Sequence, residues 1–187
     1  MSGHKDTITT KRIGYLRMAC PSTSEPRRSP SAPVTAMWRK LAEIGLMERT
    51  KEGAFRRTPD GDKILTQFDN DLPSAIRRVL NAVKMQVSGA AAMKGMVGAI
   101  NAGLVLALDA KPNYVLTEAG KGLADPIGDE GYFQKSGNLV RVISACWDFG
   151  MENLLEVERV DGESRGKRMM IPRGSFVDKA TWEAMSA

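Results

Sequence analysis

The stretch GLMERTKEGAFRRTPDGDKIL, residues 45–65, contains the signals for a helix end, a hairpin and the start of a second helix. Gly45 stands where a helix typically ends in a left-handed residue. The segments LMERT and AFRRT predict two short antiparallel strands around the turn KEG. Thr58, followed by Pro59, is a typical helix N-cap with proline at the first helical position. The stretch therefore predicts helix, β-hairpin and helix, in that order.

A similar arrangement returns at residues 103–123, GLVLALDAKPNYVLTEAGKGL. Gly-Leu at 45–46 is followed 13 residues on by Thr58, and Gly-Leu at 103–104 is followed 14 residues on by Thr117. Each threonine begins a T-x-x-G-x-x-[I/L] motif. The two copies start 58 residues apart. Two copies indicate a duplication or a shared fold constraint rather than a solenoid.

Helices are predicted before each hairpin. Residues 34–44 place apolar side chains at helical spacing. Residues 7–20 and 73–87 also predict helices, and residues 88–102, rich in glycine, alanine and methionine, predict a closely packed helical segment. Residues 21–33 contain four prolines and therefore predict an irregular loop.

The last third of the chain predicts a third succession of helix, hairpin and helix. A glycine-rich connector covers residues 125–137, and a helix is expected at 138–149. A hairpin is predicted around Asp161 and Gly162, and a final helix with Ser175 as its cap. The T-x-x-G motif is missing from this third succession.

The repeated pattern resembles the winged helix-turn-helix superfamily. MarR-like and PadR-like regulators of that superfamily carry L-x-x-x-G-L-[VI]-x-R followed by Y-x-[LV]-T-x-x-G. In the first copy the matching positions are Leu41, Gly45, Leu46, Met47, Arg49, Phe55, Arg57, Thr58 and Gly61. In the second copy they are Gly103, Leu104, Tyr114, Leu116, Thr117 and Gly120.

The resemblance implies an α+β, mostly helical fold with two winged-helix units, and a third in outline, each with a short β-hairpin as its wing. The expected units are a basic winged helix at residues 1–68, a degenerate one at 69–130 and a helix–hairpin–helix unit at 131–187. The segment before residue 34 departs from the family pattern. Proline, serine and arginine stand there, where the first helix of the helix-turn-helix is expected.

Positive charge is concentrated in the first third of the chain. Residues 1–68 hold 13 Lys and Arg against 7 Asp and Glu, whereas residues 69–130 hold 6 against 7 and residues 131–187 hold 8 against 8. Such asymmetry favours an acidic partner, and nucleic acid is the leading class. The alternative is a solvated basic surface that keeps the protein soluble.

If the first copy is a winged helix, residues 34–44 form its recognition helix. Arg39 would then reach a guanine edge, while Thr35 and Lys40 would bind phosphates and the wing would contact the DNA backbone or minor groove. The same charges are also typical of a solvated helix face and of weak surface ion pairs. The candidate residues for duplex DNA are Arg27, Arg28, Thr35, Arg39, Lys40, Lys51, Arg56 and Arg57.

The second copy has little charge at the equivalent places. Its helix at residues 92–102 offers Lys94 and few other polar side chains, and its wing LALDAKPNYV is nearly neutral. A scaffold, a homodimer surface or a protein-partner site is therefore expected there, around Met93, Met96 and Trp147. The leading hypothesis is a DNA-binding transcriptional regulator or mobile-element accessory factor. The alternative is a protein-binding inhibitor or adaptor of the phage or plasmid type.

Few residues suit catalysis or metal binding. The histidine is His4, and Cys20 and Cys146 are far apart, so neither a typical zinc site nor a disulfide framework is expected. No Walker loop, dinucleotide fingerprint or nucleophile elbow appears, so we expect neither enzyme activity nor a cofactor. The acidic residues and lysine at 156–167 loosely resemble a nuclease cluster but are ordinary on a solvated hairpin. Because the sequence has neither a signal peptide nor an apolar run of roughly 18 residues, we expect a cytoplasmic protein without membrane contact.

Overall fold

The computed structural model describes residues 8–108, 113–145 and 154–186. The chain divides into two compact units, Met1–Ala124 and Asp125–Ala187. The first unit contains both copies of the helix–hairpin pattern. The elements of the first copy are α1 (Thr10–Met18), α2 (Ala32–Glu43), β1 (Met47–Arg49), β2 (Phe55–Arg57) and α3 (Pro59–Asn70).

The second copy repeats this order of elements. They are α4 (Ser74–Lys84), a 3-10 turn (Ala90–Ala92), α5 (Met96–Asn101), β3 (Val105–Leu108), β4 (Asn113–Leu116) and α6 (Glu118–Leu123). β1 pairs with β2 and β3 with β4, each pair antiparallel. The two predicted hairpins and the helices that follow them are therefore confirmed.

The two copies share the hydrogen bonds that join each helix to its hairpin. Gly45 and Gly103 end α2 and α5 with φ of +79° and +71°, the left-handed conformation that favours glycine. The Thr58 hydroxyl donates to Gly45 O at 2.7 Å, and the Thr117 hydroxyl donates to Gly103 O at 2.9 Å.

Each threonine also caps the next helix. Thr58 Oγ1 accepts from the amide of Gly61 at 3.1 Å, and Thr117 Oγ1 accepts from the amide of Gly120 at 3.0 Å. The motif T-x-x-G is thus a helix cap in both copies. The glycine of the motif also lets α3 approach the hairpin closely, because a Cβ on Gly61 would lie 2.2 Å from Leu46 O.

Two hydrophobic cores fill the first unit, and α1 contributes to both. Leu16 joins Trp38, Leu41 and Phe55, whose side chains are at most 1% exposed. On its other side, α1 adds Ile13 to a cluster built largely from α4 and α5. The single helix α1 therefore ties the two copies together through apolar contacts.

In its described residues, the second unit is a five-stranded antiparallel sheet with one α-helix. Strands β5 to β8 form a meander, and β9 returns beside β5, giving the order β8-β7-β6-β5-β9. The elements are β5 (Glu130–Phe133), β6 (Asn138–Ala145), β7 (Leu154–Arg159), β8 (Arg168–Pro172), a 3-10 turn (Arg173–Ser175), β9 (Phe176–Asp178) and α7 (Lys179–Ser186). The core side chains are Val140, Val142, Leu155, Val157 and Ile171.

This sheet corrects the prediction of a third winged-helix unit. The predicted helix at 138–149 is the strand β6 over its described part, because Val140 and Val142 alternate into the core while Arg141 is exposed. The hairpin around Asp161 and Gly162 is confirmed as β7 and β8. The fold is therefore α+β, as predicted, but its last third is built on strands.

The predicted start of the last helix is also wrong. We expected Ser175 as its cap, but Ser175 lies in the 3-10 turn and α7 begins at Lys179. The Asp178 carboxylate accepts from the amide of Thr181 at 2.9 Å, the bond expected of an N-cap. α7 then stacks Trp182 on Tyr132 of β5, with ring centroids 5.0 Å apart.

Candidate nucleic-acid interface

The exposed side of α2 carries two adjacent cations. Val34, Trp38 and Leu41 turn into the core because they follow each other at helical spacing. The side chains of Arg39 and Lys40 are exposed and form no ion pair or hydrogen bond with any residue that the structure describes. Their charges are therefore open to a ligand.

The loop before α2 is anchored along the first hairpin. The amide of Arg27 donates to Phe55 O at 2.9 Å, and the amide of Phe55 donates to Arg27 O at 2.8 Å. The Arg27 guanidinium donates to Met18 O, so this side chain is exposed but already bonded. Arg28, the next residue, is exposed without such a bond to the described part of the chain.

The first hairpin adds Arg49 and Lys51. Arg49 is exposed, lies opposite Phe55 and places its guanidinium carbon 5.9 Å from the centre of that ring. Because Arg27 and Arg49 flank Phe55 on neighbouring strands, their backbones lie about 10 Å apart. Lys51 is exposed in the turn and has no partner within the described ranges. Arg49 was absent from the predicted site, although its place in the repeated motif could have indicated it.

The outward face of this hairpin also carries acidic side chains. Arg56, half-buried, forms an ion pair with Glu48 across the two strands. At the turn, the pKa of Glu52 is lowered, mainly by a hydrogen bond from the backbone amide of Glu52 itself and less by one from the Thr50 side chain. Glu52 is therefore ionised at neutral pH. Positive charge on the hairpin is thus strongest at Arg49 and Lys51, and the predicted DNA contact at Arg56 competes with an existing ion pair.

Arg57 requires a correction. The sequence predicts a wing cation that contacts DNA, but Arg57 is only 9% exposed. Its Nη1 donates to Leu16 O and to Ala19 O, both at 3.0 Å, and its Nε bonds Asp62 at 2.5 Å. Arg57 therefore fastens the end of α1 to the hairpin and leaves no free guanidinium for a phosphate.

The carboxylate that faces Arg57 is ionised. Partial burial raises the pKa of Asp62, but hydrogen bonds from Ser22 and Arg57 together outweigh it and leave the pKa below its ordinary 3.8. Asp62 accepts from the amide of Ser22 at 2.9 Å. The Arg57–Asp62 pair thus also fixes the loop that leads to α2.

Thr35 is likewise engaged within the protein. Its hydroxyl donates to Ser31 O at 3.0 Å and shares a hydrogen bond with the Ser29 hydroxyl. Ser31 is the N-cap of α2. Thr35 therefore stabilises the first turn of α2, and its predicted phosphate contact would require this hydroxyl to exchange partners.

The predicted partner surface is not exposed as expected. Met96 is 4% exposed and lies in the core beneath α5, so its assignment to an interface is wrong. Met93 is half-buried against the same core. Trp147 lies outside the described residues. The methionines of this segment are apolar core residues, which the glycine-rich and alanine-rich sequence did not reveal.

The acidic residues of the second unit form a surface row of ion pairs. Four side chains of alternating charge lie side by side across β5, β6, β7 and β8: Glu130, Arg141, Glu158 and Arg168. Arg141 bonds Glu130 at 2.6 Å and Arg168 bonds Glu158 at 3.4 Å. A hydrogen bond from Lys179, followed by the one from Arg141, lowers the pKa of Glu130. In the described ranges, no three His, Cys, Asp or Glu side chains come together as metal ligands.

The comparisons with known proteins add little to this geometry. No family model matches the chain, and no curated protein does. Among solved structures, the crystal structure of ScaR with bound Cd²⁺ is similar at 16% identity, covering 95% of this chain and 93% of that chain, with a TM-score of 0.22. A TM-score this low carries no argument about fold or function. In the described part of the chain, no helix combines the length and apolar character needed to cross a membrane.

Proposed function

We propose that the first copy binds duplex DNA through α2, the loop before it and the turn of the first hairpin. The observation that carries this proposal is a set of exposed cations on these three segments. These cations are Arg28, Arg39, Lys40 and Lys51, and none of their side chains has an acidic partner among the described residues.

Such cations favour a polyanion because each phosphate that they neutralise releases counterions. Four phosphate contacts correspond to a slope of about −3.6 in a plot of log affinity against log salt concentration. The exposed residues at the start of α2 are Ala32, Pro33 and Ala36, which cannot read base edges by hydrogen bonds. Binding would therefore depend mainly on the phosphate backbone, with Arg39 available for a guanine.

Duplex DNA is favoured over a single strand by the placement of the aromatic rings. Proteins that bind single strands stack bases on exposed aromatic side chains. In the first copy Trp38 and Phe55 are 0% and 1% exposed, and their rings pack 5.7 Å apart in the core. These rings are therefore not available to unpaired bases.

Binding to the DNA backbone suits a transcriptional regulator or a mobile-element accessory factor. The order α2, β1, β2 and α3 supports the resemblance to a winged helix, with α2 in the place of the recognition helix. Residues 19–31, between α1 and α2, form a longer connection than the tight turn of a standard helix-turn-helix. Shallow docking on the backbone fits this departure better than deep insertion of α2 into the major groove.

The test is fluorescence anisotropy with a random-sequence duplex between about 50 and 200 mM salt. The variant is the double change Arg39→Glu and Lys40→Glu. Its matched control is Arg165→Glu with Lys167→Glu, because both residues are exposed in the β7–β8 turn and their side chains have no partner in the described ranges. We expect the first variant to bind at least about tenfold more weakly and the control to bind like the wild type. Absence of binding at low salt, or equal loss in both variants, would overturn the proposal.

A further inference from the structure

The open edge of β2 in the first copy is covered by the chain itself. Arg27 exchanges two backbone hydrogen bonds with Phe55, and the amide of Arg57 donates to Cys20 O at 3.0 Å. The connection between α1 and α2 therefore covers that edge, with an isolated antiparallel bridge at Arg27 and Phe55 and a separate hydrogen bond at Cys20. The amides of Phe55 and Arg57, which point away from β1, both find their acceptors in this segment.

The second copy has the same register, but no described segment covers its β4 edge. The amide of Thr117 donates to Leu104 O at 3.0 Å, as that of Thr58 donates to Leu46 O at 3.1 Å. By the alternation of an antiparallel ladder, Tyr114 and Leu116 direct their amides away from β3. No described residue forms a backbone hydrogen bond with either of them on that edge.

The reason lies in the connection between α4 and α5. Residues 85–95 form the 3-10 turn Ala90–Ala92 instead of an extended segment. They stand away from β4 and leave a cleft of about 660 Å³ between themselves and the strand. The cleft is bounded by residues 86–91 on one side and by β4 on the other, so it has the form of a slot for one strand.

The described residues that line this cleft carry no charge. Its lining consists of apolar and neutral polar residues only, among them Val83, Gln86, Val87, Leu108, Tyr114 and Val115. Three of these side chains remain substantially exposed: Val87 at 48%, Leu108 at 47% and Val115 at 38%. The described lining offers no cation to a polyanion, whereas an apolar peptide would bury these surfaces.

We propose that the β4 edge binds an extended, uncharged peptide segment of a partner protein by strand addition. The first copy supplies the template, because its own chain occupies the corresponding edge through the same backbone groups. Main-chain hydrogen bonds to Tyr114 and Leu116 would hold the peptide, and alternate apolar side chains would enter the cleft. This site is separate from the DNA-binding cations and does not depend on the proposed function.

The experiment is to select random linear peptides, displayed on phage, against the full chain. Peptides that bind are then measured with the wild type, Val115→Glu and the matched control Val97→Glu, which changes an α5 valine that is 71% exposed and outside the cleft. We expect uncharged, β-prone sequences whose affinity falls at least about tenfold with Val115→Glu, because a buried unpaired carboxylate disfavours the complex. The Val97→Glu variant is expected to bind them like the wild type.

The hydrogen bonds are tested on the peptide itself. N-methylation of alternate residues in one register should abolish binding, while N-methylation in the other should preserve it, since only every second amide faces β4. Failure to enrich any peptide, equal effects of the two glutamate variants, or equal effects of the two N-methylated registers would overturn the proposal. Self-association of the wild type in sedimentation that Val115→Glu abolishes would also overturn it, because the occupant would then be a second copy of this chain.

Discussion

The two helix–hairpin copies share a backbone and differ in their surfaces. In both, a left-handed glycine ends the helix, and a threonine bonds that glycine and caps the next helix. The outward-pointing side chains differ between the two copies. Three outward positions are charged in the first copy and apolar in the second: Arg39 against Val97, Glu48 against Leu106, and Arg56 against Val115.

The comparison shows that the two copies share the same glycine and threonine positions and the same backbone hydrogen bonds, while their outward side chains differ. In each copy a threonine hydroxyl donates a hydrogen bond to the carbonyl of the glycine that ends the helix. The pairs are Thr58 with Gly45 and Thr117 with Gly103. The remaining surface is free to acquire different chemistry. We infer a cationic surface for a polyanion on the first copy and an open strand edge for a peptide on the second.

The largest expected effect comes from Gly120→Ala, which tests whether the shared backbone is essential. A Cβ at this position would lie 2.0 Å from Leu104 O, so the hairpin and α6 would have to separate. We expect a loss of about 3 kcal/mol in the free energy of unfolding, measured by urea denaturation. Gly61→Ala should behave alike in the first copy, because its Cβ would meet Leu46 O.

Gly122→Ala is the matched control for Gly120→Ala. Gly122 lies in the same helix, is exposed and has no atom within 4 Å of an added Cβ. Alanine should therefore stabilise the protein by about 0.5–1 kcal/mol through its higher helix propensity. If Gly120→Ala were as stable as Gly122→Ala, the close approach of α6 to Leu104 would not be a constraint on the fold.

The next effect concerns a position where the copies differ inside the core. Arg57→Leu introduces the residue that the second copy has at the equivalent place, Leu116. It removes the donor to Leu16 O and Ala19 O and the cation that pairs with Asp62, and we expect a loss of about 2 kcal/mol in stability because these buried acceptors lose hydrogen bonds.

Arg56→Leu, one residue earlier, serves as the control for Arg57→Leu. Arg56 pairs with Glu48 at the surface, where an ion pair contributes at most about 1 kcal/mol. Both variants are compared by thermal and urea unfolding at neutral pH. Equal losses in the two variants would show that Arg57 is not the anchor of α1.

The pH dependence of stability gives a smaller test of the same anchor. The pKa of Asp62 is lowered in the folded protein, so the unfolded state binds more protons as the pH falls. The stabilisation from Asp62 is complete above its ordinary value of 3.8 and is lost as the pH falls below that value through the folded pKa. We expect Asp62→Asn to be less stable than the wild type at pH 7 and the two urea midpoints to converge at acidic pH. A constant difference across the titration would contradict the ionised pair.

The smallest expected effect is at Gln86, which occupies the position after α4 that Gly45 and Gly103 occupy after α2 and α5. Gln86 has φ of +54°, and the amide of Val87 donates to Ala82 O at 2.9 Å in the bond typical of such a helix end. Gln86→Gly should relieve this strain and stabilise the protein by up to about 1 kcal/mol. A loss of stability instead would mean that the Gln86 side chain contributes contacts that outweigh the strain.

Prediction from the sequence succeeded where the signals are local. The hairpins, the glycine helix ends and the threonine caps depend on a few neighbouring residues, and each was found in its predicted place. It failed at residues 138–145, where Leu139, Val142 and Ile143 fit helical spacing as well as a strand. The pairing of β6 with both β5 and β7 decides between the two, and that pairing involves residues far along the chain.

The candidate site shows the same division. In the sequence, Arg39, Lys40 and Arg57 are all cations in predicted DNA-contacting elements, and nothing distinguishes them. Arg57 is buried because it bonds the end of α1, and no local pattern indicates that contact. The sequence also wrongly predicted Met96 to be exposed at a partner surface. A methionine among glycines does not show which side of a short helix faces the core, and Met96 is in fact buried. Arg49 was left out although it lies beside the turn.

The sequence by itself determined the repeated helix–hairpin order, because glycine, proline and threonine act on their own backbone neighbours. It also determined the excess of positive charge in the first third, which is a matter of counting. The tertiary structure alone decided which of the described cations stay free, which one anchors α1, and that β2 is covered by a segment while no described segment covers β4. These outcomes depend on segments distant in sequence meeting in space, where hydrogen-bond partners and burial are assigned by the whole packed unit.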